Sequence, residues 1–269
     1  MKIEKIGIIG VGVVGSAVSH GIGRLGFEVV EHDIKFGTSI FDIVDAEVVF
    51  ICVPTPSLPS GKCDTSIVEQ VADELSVIGY QGVVAIKSTV EPGTTQKLID
   101  RHLDLNICFV PEFLRERCAL SDFIDNHDLC VIGTFDENVF DALKQVHGKY
   151  PNNFVMVTPT EAELVKYFNN IYNATLITFA NNFYEVCQEV SADYTKVKDA
   201  IVLRDHIQDS YLDCNKNLRG FGGVCLPKDT RALNFLVKDK GLPCSLFETL
   251  LKENGRYKIT TFDGMRKGE

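Results

Sequence analysis

Residues 4–15 read EKIGIIGVGVVG. A short apolar run ends in Gly10-x-Gly12-x-x-Gly15, and a helical pattern continues to about Leu25. A strand that runs into three glycines and opens a helix forms a turn suited to a dinucleotide. Gly10 permits the tight turn. Gly12 lets a pyrophosphate approach the helix N-terminus, and Gly15 lets the helix pack closely on the strand. A second strand, Phe27 to Glu31, ends at Asp33. An acidic residue about 20 positions past the glycines accepts hydrogen bonds from the adenosine ribose hydroxyls, which favours NAD over NADP. A glycine-rich turn without a ligand is the alternative; the strand, the helix and Asp33 together count against it.

Outward from this turn, strand and helix alternate. Residues 47–53, 83–87, 105–110, 128–133 and 154–157 read as strands, and residues 64–78, 94–103 and 137–147 as helices. The alternation predicts an α/β fold with a doubly wound, mostly parallel sheet of the Rossmann type. Polar segments containing Pro or Gly follow four of the strands: GVGVVG at 10–15, VPTP at 53–56, KSTV at 87–90 and VPEF at 110–113. Ligands of open parallel sheets bind outside the carboxyl ends of the strands, so these four segments are expected to surround one crevice.

From Thr160 the pattern changes. Thr160-x-x-Glu163 reads as a capping box that starts a long helix ending near Glu189. Leu164, Val165, Phe168, Ile171, Tyr172, Leu176, Phe179 and Phe183 recur at helical spacing, and Glu163, Lys166, Asn170 and Asn173 form a polar stripe on another face. So broad an apolar face predicts a homodimer contact through this helix. Further helices are expected at 192–203, 229–238 and 246–258, with a polar loop from Arg204 to Arg219 and a polar tail from Asp263 to Glu269. The expected division is a dinucleotide-binding domain, 1–158, and a mainly helical domain, 159–269.

The loop delivers the stretch GFGGVCLPKD at 220–229. Cys225 sits among glycines with Lys228 close by, and a nearby cation favours the thiolate, the reactive form. A core cysteine in a glycine-rich turn is the alternative.

Composition narrows the classes. With 269 residues there is room for one large domain or two ordinary ones. The net charge of −10 argues against a nucleic-acid partner. The N-terminus lacks a signal-peptide pattern, and no apolar run approaches the ~18 residues of a membrane span. Nine cysteines without a C-x-x-C pair suggest neither a metal site nor a disulfide framework, and fit a reducing cytoplasm. Cys52, Cys108 and Cys130 lie in strand-like runs and are expected in the core.

In order along the chain, GVGVVG (10–15), VPTP (53–56), KSTVEPGTT (87–95), PEFLRE (111–116), EAELVKYFNN (161–170) and GFGGVCLPKD (220–229) resemble the UDP-glucose/GDP-mannose dehydrogenases. The match runs in register from Lys5 to about Arg256. The resemblance implies oxidation of a sugar nucleotide's C6 hydroxyl to a carboxylate with two NAD per turnover, Cys225 carrying the carbon as thiohemiacetal and then thioester. It implies that Lys166 stabilises the oxyanion, that Asn170 fixes C6 and a water, and that Asp229 positions water and Lys166. It makes Glu112 the acid/base of thioester hydrolysis and Thr89 part of the water and nicotinamide site. Gly10, Gly12, Val13, Val14, Gly15 and Asp33 would hold the cofactor, together with Val53, Pro54 and Thr55, then Ser88, Thr89, Glu116 and Lys228. The sugar nucleotide would meet Glu112, Phe113, Leu114, Lys166 and Asn170, then Lys216, Phe221 as a pocket wall, Gly222 and Cys225.

The sequence also departs from the family. Val13 replaces a common aromatic residue, and Arg219 stands where a small or apolar residue is usual. The family's third, sheet-based domain, which holds the nucleotide, is expected beyond the matched span and is absent from this sequence. Three readings stay open. One is a compact enzyme that uses Lys216, Arg219 or a partner chain to hold the phosphates. The second is an NAD-binding homologue with weak or no sugar oxidation. The third is a two-domain dehydrogenase of the 6-phosphogluconate or 3-hydroxy-acid kind, which would leave GGVCLPKD without a purpose.

Overall fold

The structure is a computed structural model, and it describes residues 2–257. The polar tail lies outside the described residues, and the last helix, expected to run from 246 to 258, ends at Asn254, where Gly255 caps it. By its contacts the chain divides into two compact units, one running to Pro56 and from Asp64 to Lys166, the other comprising Ser57–Cys63 and the chain from Tyr167 on.

The first unit is built on a seven-stranded sheet. Its elements are β1 (Lys5–Ile9), α1 (Val13–Arg24), β2 (Glu28–His32), β3 (Val48–Ile51), α2 (Ser66–Val77), β4 (Val83–Ile86), α3 (Thr94–Arg101), β5 (Asn106–Phe109), α4 (Ala119–Ile124), β6 (Leu129–Gly133), α5 (Glu137–His147) and β7 (Asn153–Val157). The strand order is β2-β1-β3-β4-β5-β6-β7. All neighbours pair in parallel except β5 and β6, which meet antiparallel at Phe109 and Gly133. The expected doubly wound, mostly parallel sheet is therefore present. Every residue of β3 and β4 is buried, because the sheet is covered on both faces. One core contains Ile6, Ile8, Phe50, Ala85 and Ile132; the other contains Ile9, Val49, Ile51, Val84 and Ile86. Cys108 and Cys130 are buried as expected, and burial pushes the Cys130 thiol up to about 11.

A ring cluster of Phe123, His127, His147 and Tyr150 lies in the same unit, with Phe50 against His147. Burial first, and then the Lys87 ammonium, lower His127 to about 4 and hold His147 well below its usual range. As pH falls, the unfolded chain takes up these protons before the folded one does. The stabilisation is full above about pH 6.5 and is lost toward pH 4; for His127 it is worth about 3 kcal/mol. The urea midpoint is expected to drop between about pH 7.5 and 5, and His127→Gln to flatten the drop. Equal drops in the two proteins would refute this.

Helix α6 (Pro159–Glu189) is the long helix expected from the sequence. Its capping box is Thr158 and Glu161, not Thr160 and Glu163. The Glu161 carboxylate accepts from Thr158 N and Oγ1 at 2.8 and 2.7 Å, with Pro159 at the first helical position. The two faces of α6 are also not as the residue types suggest. Glu163, Lys166 and Asn170 are buried, whereas Phe168, Tyr172, Phe179 and Phe183 are exposed. The second unit adds α7 (Tyr194–Ile201), α8 (Cys225–Asp239) and α9 (Leu246–Asn254). Helix α8 starts at Cys225, one turn before its expected start at Asp229.

Candidate functional site

In the first unit, β1, β3, β4 and β5 are consecutive parallel neighbours, so the GVGVVG, VPTP, KSTV and VPEF segments leave the same edge of the sheet. The chain reverses its winding direction between β1 and β3, which is where doubly wound sheets open a ligand crevice. The glycines have distinct local reasons. Gly10 has φ +89 and Gly15 packs so closely that a Cβ there would lie 1.9 Å from Gly10 O. A Cβ on Gly12 would meet nothing within 4 Å, so open space adjoins the N-terminus of α1. The Asp33 carboxylate accepts from Lys35 N at 2.9 Å and from Val11 N at 2.8 Å, and these bonds hold it below its usual range, ionised. Each oxygen keeps a lone pair for a ribose hydroxyl. The residues present therefore fit a dinucleotide.

Ser88 Oγ donates to Val53 O at 2.7 Å and Ile51 O at 3.2 Å, joining the KSTV and VPTP segments. Thr89, Val53 and Val14 are half-buried, Thr55 is buried and Pro54 exposed. Val13 and Glu116 line one groove of about 770 Å³ that continues along α1 and α4 past His20 and Arg117.

Lys166 is buried in the first unit. Its Nζ donates to Glu112 O at 2.6 Å and to Glu112 Oε1 at 3.0 Å, and lies 5.8 Å from the centre of the Phe113 ring. Leu114 N donates to Glu112 Oε2 at 2.7 Å, so both carboxylate oxygens are engaged. The structure thus brings Glu112, Phe113, Leu114 and Lys166 together. Glu163, one turn before Lys166, was read from the sequence as a cap and is instead bonded to Gly93 N and Thr95 N. Burial pushes its carboxyl above the usual range, while the bonds from Thr95 and Gly93 and the Lys97 charge act against that. Only its place one turn from Lys166 on the polar stripe pointed to it.

In the second unit, Asn170 Nδ2 donates to Asp229 Oδ2 at 2.5 Å, and Asn169 Nδ2 donates to Asn170 Oδ1 at 3.0 Å. Asn169 escaped the sequence reading because its side chain acts on its own neighbour. Lys228 Nζ lies 2.7 Å from Asp229 Oδ1, with Asp229 fully buried. The cation expected beside Cys225 is therefore paired with Asp229. Cys225 itself is exposed and takes the first position of α8, where the positive end of the helix favours an anion. Gly223, with φ +72, turns the chain into that helix.

Three more of the expected residues of this region have defined places. Phe221, implied as a pocket wall, has no exposed surface: it packs with Ala174 and Ile177, and its backbone N and O are both held by the Asn254 side chain. Arg219 is committed within the unit, bonded to Asn181 Oδ1 and Glu185 and stacked 4.8 Å from Tyr184 and 4.4 Å from Tyr257. Lys216 is exposed at the tip of the Asn215–Leu218 turn. Of the two cations considered for phosphate, Lys216 is the exposed one.

A parallel sheet with a glycine turn at its switch point, followed by a long helix and a helical unit, is the architecture of two-domain NAD-dependent dehydrogenases. The NAD binding domain of the UDP-glucose/GDP-mannose dehydrogenase family matches residues 33–150, and its central domain matches residues 160–256. The chain belongs to that family. It is 33% identical over 238 residues to a UDP-glucose 6-dehydrogenase of Rickettsia bellii, covering 84% of this chain and 54% of the relative. It is 30% identical over 243 residues to a GDP-mannose 6-dehydrogenase of Pseudomonas aeruginosa, covering 84% and 55%. The chain spans about half the length of the curated relatives it matches. Among solved structures, a UDP-glucose dehydrogenase from Pyrobaculum islandicum superposes with a TM-score of 0.85 at 28% identity, over 95% of this chain and 68% of that one. A 3-hydroxyisobutyrate dehydrogenase of Mycobacterium tuberculosis superposes with a TM-score of 0.77 over 99% and 97% of the chains, but at 13% identity this shows the fold alone.

Proposed function

We propose that the chain is an NAD-dependent nucleotide-sugar dehydrogenase that takes the sugar's C6 hydroxyl to a carboxylate in two oxidations, UDP-glucose to UDP-glucuronate being the favoured case. The observation that carries this is the exposed Cys225 opening α8, in a chain that also has a dinucleotide turn. One hydride transfer from an alcohol needs no thiol, whereas oxidation of the resulting aldehyde needs a nucleophile added to its carbon. Bound NAD supplies the hydride acceptor for each oxidation. The Cys225 thiolate adds to the aldehyde carbon, forming a C–S bond and an oxyanion that takes a proton. Loss of hydride from that carbon, and of the hydroxyl proton, leaves a thioester, and water releases the carboxylate and the thiol. Lys166, as a cation, stabilises the oxyanion; Glu112 exchanges a proton with the attacking water; Asn170 and Asp229 hold C6 and water.

The test is the count of NADH formed per sugar oxidised, with UDP-glucose, GDP-mannose and UDP-N-acetylmannosamine. Two per sugar supports the proposal. NADH binding without turnover on any of the three favours the non-oxidising homologue. One NADH per molecule of a simple hydroxy acid favours the third reading, which the shared fold with 3-hydroxyisobutyrate dehydrogenase keeps in view. The nine cysteines fit a reducing cytoplasm.

The partner on α6 is proposed to be a second copy of the chain. Phe168 stacks on Tyr172, Phe179 packs on Phe183, and Val186 and Val190 extend this exposed stripe. The chain is expected to sediment as a dimer, and Phe168→Glu with Phe179→Glu to sediment as a monomer. A monomeric parent chain at micromolar concentration would remove the proposal.

A further inference from the structure

The roles assigned above leave Glu163 without a task, yet it is a fully buried carboxylate. It accepts from Gly93 N through one oxygen and from Thr95 N through the other at 2.7 Å. These are donors at the start of α3, where a helix leaves its first N–H groups without intrahelical partners. A local Ser, Thr or Asp cap is the usual remedy. Here the cap position is Gly93 with φ +91, a conformation those residues rarely take, and no side-chain cap is present. The carboxylate arrives instead from α6, and its charge suits the positive end of α3.

The turn between β4 and α3 is thereby held at both ends. Ser88 Oγ fixes its start to Ile51 O and Val53 O, Glu163 fixes its end, and Val90 between them is fully buried. Thr89 stands inside this span, between the two ties.

We propose that Glu163 is a positioning residue for the cofactor: by capping α3 it sets the Ser88–Thr89 turn, and it ties that turn to the helix that carries Lys166. This rests on the dinucleotide reading of the first unit. Glutamine at 163 would keep one acceptor and turn an N–H₂ group toward the other backbone N–H, leaving that buried donor unmet. Aspartate would keep the charge on a shorter arm.

The experiment measures hydrogen exchange across residues 86–97 and 8–33 in the free protein, together with NADH binding by fluorescence, for the parent chain, Glu163→Gln and Glu163→Asp. Glu163→Gln is expected to speed exchange in 86–97 while leaving 8–33 unchanged, and to weaken NADH binding about tenfold, as for loss of a charge-assisted bond. Glu163→Asp is expected to recover part of both. Parent-like exchange in 86–97, or equal loosening of both segments, overturns the proposal. So does failure of both variants to fold, which would make Glu163 a support of the core and not of the turn. Faster exchange confined to 86–97 with unchanged NADH affinity also overturns it. A parent chain that binds no NADH removes the dinucleotide reading instead, and the exchange result then still reports on the cap.

Discussion

Cys225→Ser is expected to bind NADH as the parent chain does and to form carboxylate at least ~10³-fold more slowly. Serine is nearly the same size, and Cys225 is exposed, so the start of α8 should not be disturbed. What changes is the acidity of the nucleophile. A thiol is partly ionised near neutral pH, a helix N-terminus increases that fraction, and a hydroxyl stays protonated. The measurement is NADH and carboxylate release from a nucleotide sugar under single-turnover conditions, with a fluorescence titration of NADH as control. Two NADH per sugar at the parent rate in Cys225→Ser would eliminate the covalent step.

Lys166→Met is expected to lower stability by about 3–5 kcal/mol, because it strands the Glu112 carboxylate in a buried place. The Lys166 and Glu112 side chains are only 4% and 9% exposed, so solvent cannot take over the lost contact. If the cost arises from the stranded charge, Lys166→Met with Glu112→Leu should restore most of the stability. The same double variant should remain inactive, since it lacks the group proposed to meet the oxyanion, a loss on the order of 10²–10³-fold in kcat. Urea midpoints and turnover are thus expected to move in different directions across the series. A Lys166→Met protein as stable as the parent would mean that the pair is dispensable to folding. A double variant that regains turnover would remove Lys166 from the chemistry.

The strands were legible because β3 and β4 are buried on both faces and so read as unbroken apolar runs. The glycine turn was legible because Gly10 and Gly15 answer to backbone geometry that few other residues satisfy. The start of α8 was hidden by Pro227, which looks like a break but is tolerated in a first turn, where no N–H is needed. The cap of α6 was displaced by two residues because Thr158/Glu161 and Thr160/Glu163 share the same spacing, and Pro159 decides between them. Helical period separates faces but does not say which is covered. The partners that bury the polar stripe of α6 are Gly93, Glu112 and Asp229, all distant in sequence. Phe221, which the family resemblance implies as a pocket wall, is enclosed by Asn254 and α6, and nothing in the residues beside it announces those partners.

The segment Ser57–Cys63 leaves the sheet after β3 and belongs with the second unit. Gly61 lies against Arg231, and Cys63 packs with Tyr167 and Ala232. During synthesis this segment emerges long before the residues that support it. The chain on either side can join the growing sheet while these seven positions wait for α6 and α8. Ordering of this loop is then a late event, and a ribosome-stalled chain ending near residue 160 should be cut by protease within 57–63 while the sheet around it resists.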